Sequence, residues 1–404
     1  MNQATAIVNA QIFDGENIIG SGKHAVLIKD KYIQAVTDKA PEGAIIIDAQ
    51  GATLMPGLID SHVHTDMAGL HDALKFGVTT ELEMMGRWSK KQRREIADRN
   101  DIADLRSPGM GVTPRGGHPT EYAGSSLLFR LYVRYFFPFV KNPGEAVKFV
   151  KKQIDKGADY IKIFIEDGTC VGYPGLPVLN EETIRAAIEE AHRHNKLTIA
   201  HVTTAEGARM AIEAGIDGLG HLFFDCAHTP ELIEEIASSG AFVIPTLVTI
   251  SSALGNNASW LAGDKRVSSK LGMEWLESLS RSMNVYPKGN QDAVYATVQA
   301  LRNAGVDILA GTDVSEPLPN LGGLAHGASL HHELQLLVAA GLTGVEALRA
   351  ATSIPARRFG LTDRGRIAPG LLADLLLIDG NPLAKISDTL SIKAVWHRGV
   401  RLSV

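Results

Sequence analysis

Between residues 57 and 360, the chain alternates short apolar runs with longer amphipathic stretches. The apolar runs predict strands, and the stretches between them have the length and periodicity of helices. Strands are predicted at residues 58–60, 77–85, 108–113, 159–165, 197–201, 217–221, 241–247 and 306–312. The clearest helices are predicted at residues 181–194, 205–214 and 291–304. This alternation indicates a parallel sheet, and eight such units close a barrel.

The two ends of the chain follow a different pattern, in which short apolar runs are separated by turn residues. These runs lie at residues 6–8, 24–28, 45–47, 373–378 and 392–396. We therefore predict an α/β fold with a (β/α)8 TIM-type barrel over residues 57–360. Residues 1–56 and 361–404 are predicted to form one small β-sandwich domain built from both termini.

Composition and charge exclude several classes of protein. The chain has 404 residues, of which 45% are hydrophobic and 21% charged, as in ordinary globular proteins. The net charge is −5, whereas nucleic-acid-binding proteins typically carry a basic surface, so we expect no nucleic-acid partner. The two cysteines form no disulfide framework, and the N-terminus lacks the features of a signal peptide. We expect a cytoplasmic protein with no membrane partner.

Residues 127–140 form the most apolar aromatic stretch of the chain. The stretch is too short to span a bilayer, and it contains Arg130 and Arg134. One interpretation is a packing helix or a contact between subunits, in line with the homo-oligomer that we expect. The other is a lid over an aromatic or acyl substrate. The sequence leaves both open.

Residues of the types that bind metal ions follow several of the predicted barrel strands. They are His62, His64, His201, His221 and Asp313. Barrel enzymes place their active sites at the carboxyl ends of the strands, where these side chains are expected to meet. A lone histidine at a strand end is more often a structural residue. The combination, in the order that a barrel requires, indicates a metal site.

Two stretches of sequence resemble signatures of the amidohydrolase superfamily. Residues 51–64 read GATLMPGLIDSHVH, and residues 365–375 read GRIAPGLLADL. Residues 342–357 further resemble the prolidase-like and imidazolonepropionase-like branch of these metal-dependent hydrolases. The resemblance covers essentially the whole chain. It implies that His62, His64 and Asp313 bind one divalent metal ion.

The same resemblance implies a second divalent ion, bound by His201 and His221. It also implies that Lys162 is carboxylated at N6 by carbon dioxide and bridges both ions as an anion. This would explain a lysine within the apolar strand 159–165, where an unpaired ammonium group is costly to bury. The mixed nitrogen and oxygen ligands suit Zn²⁺ best.

These assignments predict a binuclear metal-dependent hydrolase that cleaves an amide bond by a metal-bridging hydroxide. Coordination lowers the pKa of water from about 15.7 to about 7, so a nucleophile forms at neutral pH. Asp313 is the expected base that accepts the proton of the attacking water. The expected substrate is a small molecule, namely an N-acyl amino acid, a dipeptide or a related small amide.

His118 is the second candidate catalytic residue, expected to hydrogen-bond the substrate carbonyl oxygen. The alternative is a histidine that stabilises a turn. Arg115 and Tyr173 are candidates to bind a substrate carboxylate. The segment 165–170 departs from the Ser-Gly-Gly usual in dipeptidase-like members, so specificity for prolyl or basic dipeptides does not carry over.

Three other functions compete with the amide hydrolase. A lactonase or phosphotriesterase would use the same two ions and is not excluded. A deaminase would typically use one metal ion with a His-x-x-Glu motif, whereas Phe224 is the third residue after His221. A non-catalytic scaffold would have lost metal ligands, but all six candidates are present.

Overall fold

The computed structural model describes residues 3–22, 24–123 and 137–402. Residues 124–136, which contain most of the aromatic stretch 127–140, lie outside the described residues. Both interpretations of that stretch therefore stay predictions. Within the described ranges, no helix combines the length and apolarity that crossing a membrane requires.

The strands are short, and their bounds follow in chain order. They are β1 Thr5–Val8, β2 Gln11–Phe13, β3 Ile18–Ser21, β4 Ala25–Lys29, β5 Tyr32–Thr37, β6 Ile45–Asp48, β7 Thr53–Pro56, β8 Leu58–Val63, β9 Val78–Glu83, β10 Asp104–Arg106, β11 Ile161–Phe164, β12 Thr198–His201, β13 Gly218–Gly220, β14 Phe242–Ile244, β15 Leu375–Ile378, β16 Ile392–His397 and β17 Val400–Leu402.

The helices lie mainly between the strands of the central part. They are α1 Met67–Lys75, α2 Lys90–Ala97, α3 Pro143–Asp155, α4 Glu181–Arg193, α5 Ala205–Glu213, α6 Pro230–Ser239, α7 Leu247–Ala253, α8 Ser259–Gly263, α9 Lys265–Ser268, α10 Met273–Leu279, α11 Gln291–Asn303, α12 Ala328–Ala339, α13 Gly344–Ala350 and α14 Ser353–Arg358. Short 3₁₀ helices cover Thr120–Ala123, Pro319–Leu321 and Ile386–Leu390.

Helix α4 illustrates how the sequence forms these elements. Asn180 caps it by accepting a hydrogen bond from the backbone N–H of Thr183. Ile184, Ala187 and Ile188 are buried with the spacing of one helix face. The predicted helices at 181–194, 205–214 and 291–304 are confirmed to within one residue at their ends.

The strands from the two chain ends form two sheets around a shared core. One sheet has the order β5-β4-β1-β6, and the other has the order β17-β16-β15-β7-β2-β3, which joins strands from both termini. Strands of both sheets contribute buried side chains to one cluster, among them Ile7, Val26, Leu54, Leu377 and Trp396. The division of the chain into domains at residues 56 and 361 stays a prediction.

The strands between the two ends form two parallel sheets, in the orders β10-β9-β8 and β11-β12-β13-β14. Outside these sheets, single parallel bridges join Val112 to Ile163, Val243 to Ile308 and Val63 to Val314. The mixed α/β content agrees with the prediction. A closed eight-stranded barrel is not confirmed by this sheet topology.

Two of the predicted barrel strands do not form where the apolar pattern put them. The third strand is β10 at residues 104–106, and the predicted run 108–113 holds only the bridge at Val112. Pro108 lacks an N–H for a sheet, and Gly109 has a positive φ of 72°, which breaks the extended chain. The predicted run 306–312 likewise contributes only the bridge at Ile308.

Candidate metal centre

The ligand candidates lie within or just after strands of the two central parallel sheets. His62 lies in β8, Lys162 lies in β11, and His201 is the last residue of β12. In the pairing of β11 with β12, His201 is opposite Phe164. Parallel strands end at the same edge of a sheet, so their terminal side chains project into the same region.

Asp313 is the centre of this group of side chains. Its Oδ1 lies 3.3 Å from His62 Nε2 and 3.2 Å from His64 Nε2, and its Oδ2 lies 3.8 Å from His221 Nε2. One donor atom from each of His62, His221 and Asp313 lies within 4.8 Å of the others. Two imidazoles and a carboxylate at such distances are a donor set suited to a divalent transition-metal ion.

His201 and His118 extend the group on one side. The ring centroid of His201 lies 4.5 Å from that of His221 and 4.2 Å from that of His118. All three rings border the same cavity. The structure thus brings His118 close to the candidate ligands, although its catalytic role stays a prediction.

Lys162 is fully buried, with 0% exposure. Its Nζ lies 3.5 Å from His62 Nε2, and among the described residues no carboxylate forms an ion pair with it. Burial lowers the pKa of Lys162 to about 7, against the opposing influence of Asp313 and Glu83. A buried, unpaired ammonium group is unfavourable, so the neutral amine, or a modified form of it, fits this position.

Three of the four histidines among the ligand candidates, His62, His201 and His221, are held in the neutral state that metal binding requires. Burial, followed by the charge of Lys162, lowers the pKa of His62 to about 3. Burial also holds the pKa of His201 and of His221 well below the ordinary value. Because a neutral imidazole keeps a lone pair, each ring has a nitrogen available as a ligand.

Burial alone would raise the pKa of Asp313, but its neighbours reverse the effect. Hydrogen bonds from His62 and His64 to Oδ1 contribute to holding the pKa of this carboxyl well below its usual value. Asp313 is therefore ionised at neutral pH, and a carboxylate is both a ligand for a cation and an acceptor for a proton.

Thr246 fixes the orientation of His221. Its hydroxyl donates to the carbonyl oxygen of Pro245 at 2.8 Å, and its Oγ1 lies 2.6 Å from His221 Nδ1. Because the single hydroxyl proton is already used, Thr246 accepts from Nδ1–H. The lone pair of His221 is then on Nε2, the nitrogen that faces Asp313.

Three residues of this region adopt the left-handed backbone conformation, which is unusual for residues other than glycine. The φ angles are 83° at His221, 49° at Thr246 and 56° at Asp313. Thr246 is β-branched, so its conformation is strained. Such strain costs on the order of 1–3 kcal/mol per residue and tends to occur at functional sites.

Sequence reasoning missed several residues that contact the candidate ligands. Glu166 accepts hydrogen bonds beside His201, and Thr246 holds His221. Tyr122 lines the cavity next to His118. Glu166 had a usable signal, because it is a carboxylate directly after the apolar strand that contains Lys162. Thr246 had none, since its role depends on a local backbone conformation.

A cavity of about 660 Å³ opens beside the ligand candidates. His64, His118, His201, His221 and Asp313 line one part of it. Much of the remaining wall is apolar and includes Phe224, Ile250, Trp275, Val285, Leu318 and Leu324. A concave site with convergent polar groups and a large apolar wall has the form of a small-molecule site.

Arg115 and Tyr173 stand outside this cavity. Neither is among the described residues that line it. The guanidinium of Arg115 lies 5.0 Å from the ring centroid of Phe139, and the Tyr173 ring packs 6.0 Å from that of Tyr122. Their proposed contact with a substrate carboxylate stays a prediction without support from this geometry.

The sequence model of the amidohydrolase family matches residues 53–402, which is most of the chain. The chain belongs to this family. The match spans the strands that carry the ligand candidates and the C-terminal strands as well. Members of this family generally bind metal ions, in agreement with the cluster around Asp313.

Among characterised amidohydrolases, the chain is similar to the ochratoxinase of Aspergillus niger, with 27% identity over 96% of this chain and 84% of the relative. It is also similar to the imidazolonepropionase of Anaeromyxobacter sp. (strain K), with 23% identity over 91% of this chain and 85% of the relative. A prolidase solved in complex with N-methylphosphonate-L-proline superposes with a TM-score of 0.76 and 25% identity, covering 99% of this amidohydrolase and 100% of the prolidase.

These relatives confirm the predicted superfamily and its prolidase-like and imidazolonepropionase-like branch. The chain is a hydrolase that acts on carbon–nitrogen bonds, as the sequence predicted.

Proposed function

We propose that this amidohydrolase is a binuclear metal-dependent enzyme that cleaves small amides bearing a large apolar group. The observation that carries the proposal is the cluster of His62, His64 and His221 around Asp313, beside a fully buried lysine that has no carboxylate partner among the described residues. We further propose that the single bridges close the two parallel sheets into an eight-stranded barrel. The terminal strands would then form a separate small domain.

The ligands divide into two groups in this proposal. His62, His64 and Asp313 would hold one divalent cation, and His201 and His221 would hold the other. Zinc suits the mixed nitrogen and oxygen donors. Two such cations, when bound, lower the pKa of water and polarise a carbonyl group.

Lys162 would join the two groups after reaction of its amine with carbon dioxide. The lowered pKa supports this step, because only the neutral amine attacks carbon dioxide. The amine nitrogen forms a bond to the carbon and loses a proton, which leaves a carbamate anion. An anion between cations is a compensated buried charge, in contrast to a lone ammonium group.

Asp313 would accept the proton of the attacking water and deliver it to the leaving nitrogen. Its lowered pKa keeps it ionised before reaction. His118 would contact the substrate carbonyl oxygen from the neighbouring side of the cavity. Its Nδ1 pairs with Glu121 Oε1, and this contact holds the ring in place beside the cavity.

The apolar wall supports the substrate class. Phe224, Ile250, Val285 and Leu318 offer apolar area to an acyl or amine group of the substrate, and burying such area contributes about 25 cal/mol per Å². The match to the amidohydrolase family, together with the similarity to an ochratoxinase and a prolidase, supports an amide as the bond that is cut.

A hydrolysis screen of zinc-loaded protein tests the proposal. The panel pairs N-acetyl amino acids with the same amino acids carrying long or aromatic acyl groups, and it adds dipeptides, a lactone and a phosphotriester. We expect the highest kcat/KM for the amides with large acyl groups. A preference for the lactone or the phosphotriester would overturn the proposal in favour of an ester or phosphoester hydrolase.

Two variants test whether the apolar wall sets the preference for large acyl groups. Leu318 lines the cavity, whereas Met273 is exposed nearby on α10 and does not line it. Leu318→Ala should lower kcat/KM for the large acyl substrates and leave the acetyl substrates nearly unchanged. Met273→Ala should change neither, and an equal loss in both variants would contradict the assignment of the apolar wall.

A further inference from the structure

Glu166 follows β11 four residues after Lys162 and is 2% exposed. Its Oε2 lies 3.0 Å from His201 Nε2 and 2.5 Å from Thr203 Oγ1. Its Oε1 accepts the backbone N–H of Gly168 at 2.7 Å. The Gly168 N–H and the Thr203 hydroxyl therefore donate to one buried carboxyl group, and His201 Nε2 lies within hydrogen-bond distance of it.

We infer that Glu166 is a positioning residue that fixes the tautomer and orientation of His201. This inference rests on the proposed function. In its ionised form Glu166 only accepts hydrogen bonds, so the nitrogen of His201 that faces it then carries the proton. The lone pair of His201 is then on Nδ1, which is the nitrogen that remains to bind a cation.

In this assignment, His201 and His221 are hydrogen-bonded to the protein through different ring nitrogens. Glu166 acts on Nε2 of His201 and leaves Nδ1 as the ligand atom. Thr246 acts on Nδ1 of His221 and leaves Nε2 as the ligand atom. The two rings lie 4.5 Å apart at 75°, so each presents a different edge to the space between them.

Thr203 takes part in the same arrangement. Its hydroxyl donates to Glu166 Oε2, the oxygen that also faces His201. The second oxygen is held by the backbone of Gly168. With both oxygens engaged, the carboxylate cannot rotate away from the histidine. Partners of this kind typically contribute 10–100-fold to metal affinity.

The direct test measures the tautomer of His201 in metal-free protein labelled with ¹⁵N-histidine. Long-range proton–nitrogen spectra distinguish the two tautomers, and a His201→Asn spectrum assigns the signal. We expect the Nε2–H form in the wild type. An Nδ1–H form would overturn the inference, and this measurement does not depend on any substituted Glu166 folding.

The variant Glu166→Gln provides a second test of the positioning role. Its amide has one oxygen for three donors, so the Nε2–H form of His201 should lose its preference. Asp167→Asn is the matched control, because the neighbouring carboxylate accepts from the Thr169 N–H and not from His201. An unchanged His201 tautomer in folded Glu166→Gln protein would contradict the positioning role.

Zinc titration separates this inference from the proposed function. In wild-type protein we expect two ions per chain, and in Glu166→Gln the second ion should bind 10–100-fold more weakly. The first ion, and both ions in Asp167→Asn, should be unaffected. Fewer than two ions in the wild type would refute the binuclear proposal, while the tautomer would still decide the role of Glu166. Equal affinities in wild type and Glu166→Gln would overturn that role.

Discussion

Replacing Lys162 by methionine separates the energetic cost of the lysine from its role in metal binding. Methionine has a similar length and no charge, so it fits an apolar strand. In the metal-free protein, Lys162 is buried with a pKa lowered from 10.5 to about 7. The buried amine therefore destabilises the native state, because the lysine binds its proton more tightly in the unfolded chain than it does in the native state.

The magnitude follows from the shift in pKa. At 1.36 kcal/mol per pKa unit, the amine costs about 4 kcal/mol at pH 7. Between about pH 7 and pH 10.5 the unfolded state binds more protons than the native state, so stability rises with pH. At pH 9 the remaining cost is about 2 kcal/mol.

Urea unfolding of metal-free protein in bicarbonate-free buffer measures this effect. Lys162→Met should be more stable than the wild type by up to about 4 kcal/mol at pH 7, and the difference should fall by about 2 kcal/mol at pH 9. Lys152→Met, at an exposed position on α3, is the control and should show no such pH dependence. A difference between wild type and Lys162→Met that stays constant with pH would refute the reasoning.

Metal binding should change in the opposite direction. With zinc and bicarbonate present, the wild type should gain stability from bound ions by mass action, and Lys162→Met should gain less. Metal analysis should find two ions in the wild type and fewer in the variant. A variant that binds two ions as tightly as the wild type would exclude Lys162 as a bridge.

Two further predictions concern the base and the link between the C-terminal segment and the central sheets. Asp313→Asn should keep the fold and lower kcat by about 10²–10⁴-fold, since it removes the proton acceptor; turnover near the wild-type value would exclude Asp313 as the base. Arg364 is 5% exposed and pairs with buried Asp104, which keeps Arg398 as a second partner, so Arg364→Met should lower the free energy of unfolding by about 1.5–3 kcal/mol. Arg366 forms a more exposed pair with Asp14, so Arg366→Met should lower the free energy of unfolding by no more than about 1 kcal/mol. Equal decreases for the Arg364 and Arg366 variants in urea unfolding would contradict the role of burial.

Periodicity was sufficient to predict most of the elements that carry the site. The strands with Lys162 and His201, and the helices that follow them, occur within a few residues of their predicted bounds. The strand predicted at residues 108–113 does not form there. Apolar content alone gives no information about the missing N–H of Pro108 or the positive φ of Gly109. Whether the sheets close is set by tertiary pairing at single bridges, which no local pattern encodes.

The candidate ligands were found because their types recur at strand ends. The residues around them were harder to find, for physical reasons. Thr246 acts through a left-handed backbone at the start of α7, and Glu166 acts through the second nitrogen of a ligand. Hydroxyls and carboxylates near strand ends are common, so only geometry separates those that hold a ligand.

The apolar wall has a consequence for how this enzyme diversifies. The ligand candidates stand on or just after strand ends, whereas much of the wall comes from segments between β14 and α11 and after Asp313, such as Ile250, Trp275 and Leu318. Substitutions in those segments reshape the space for a substrate without moving a ligand. Libraries that randomise the wall and keep the strand ends intact should therefore shift substrate range while retaining metal binding, which makes this part of the chain a natural target for directed evolution.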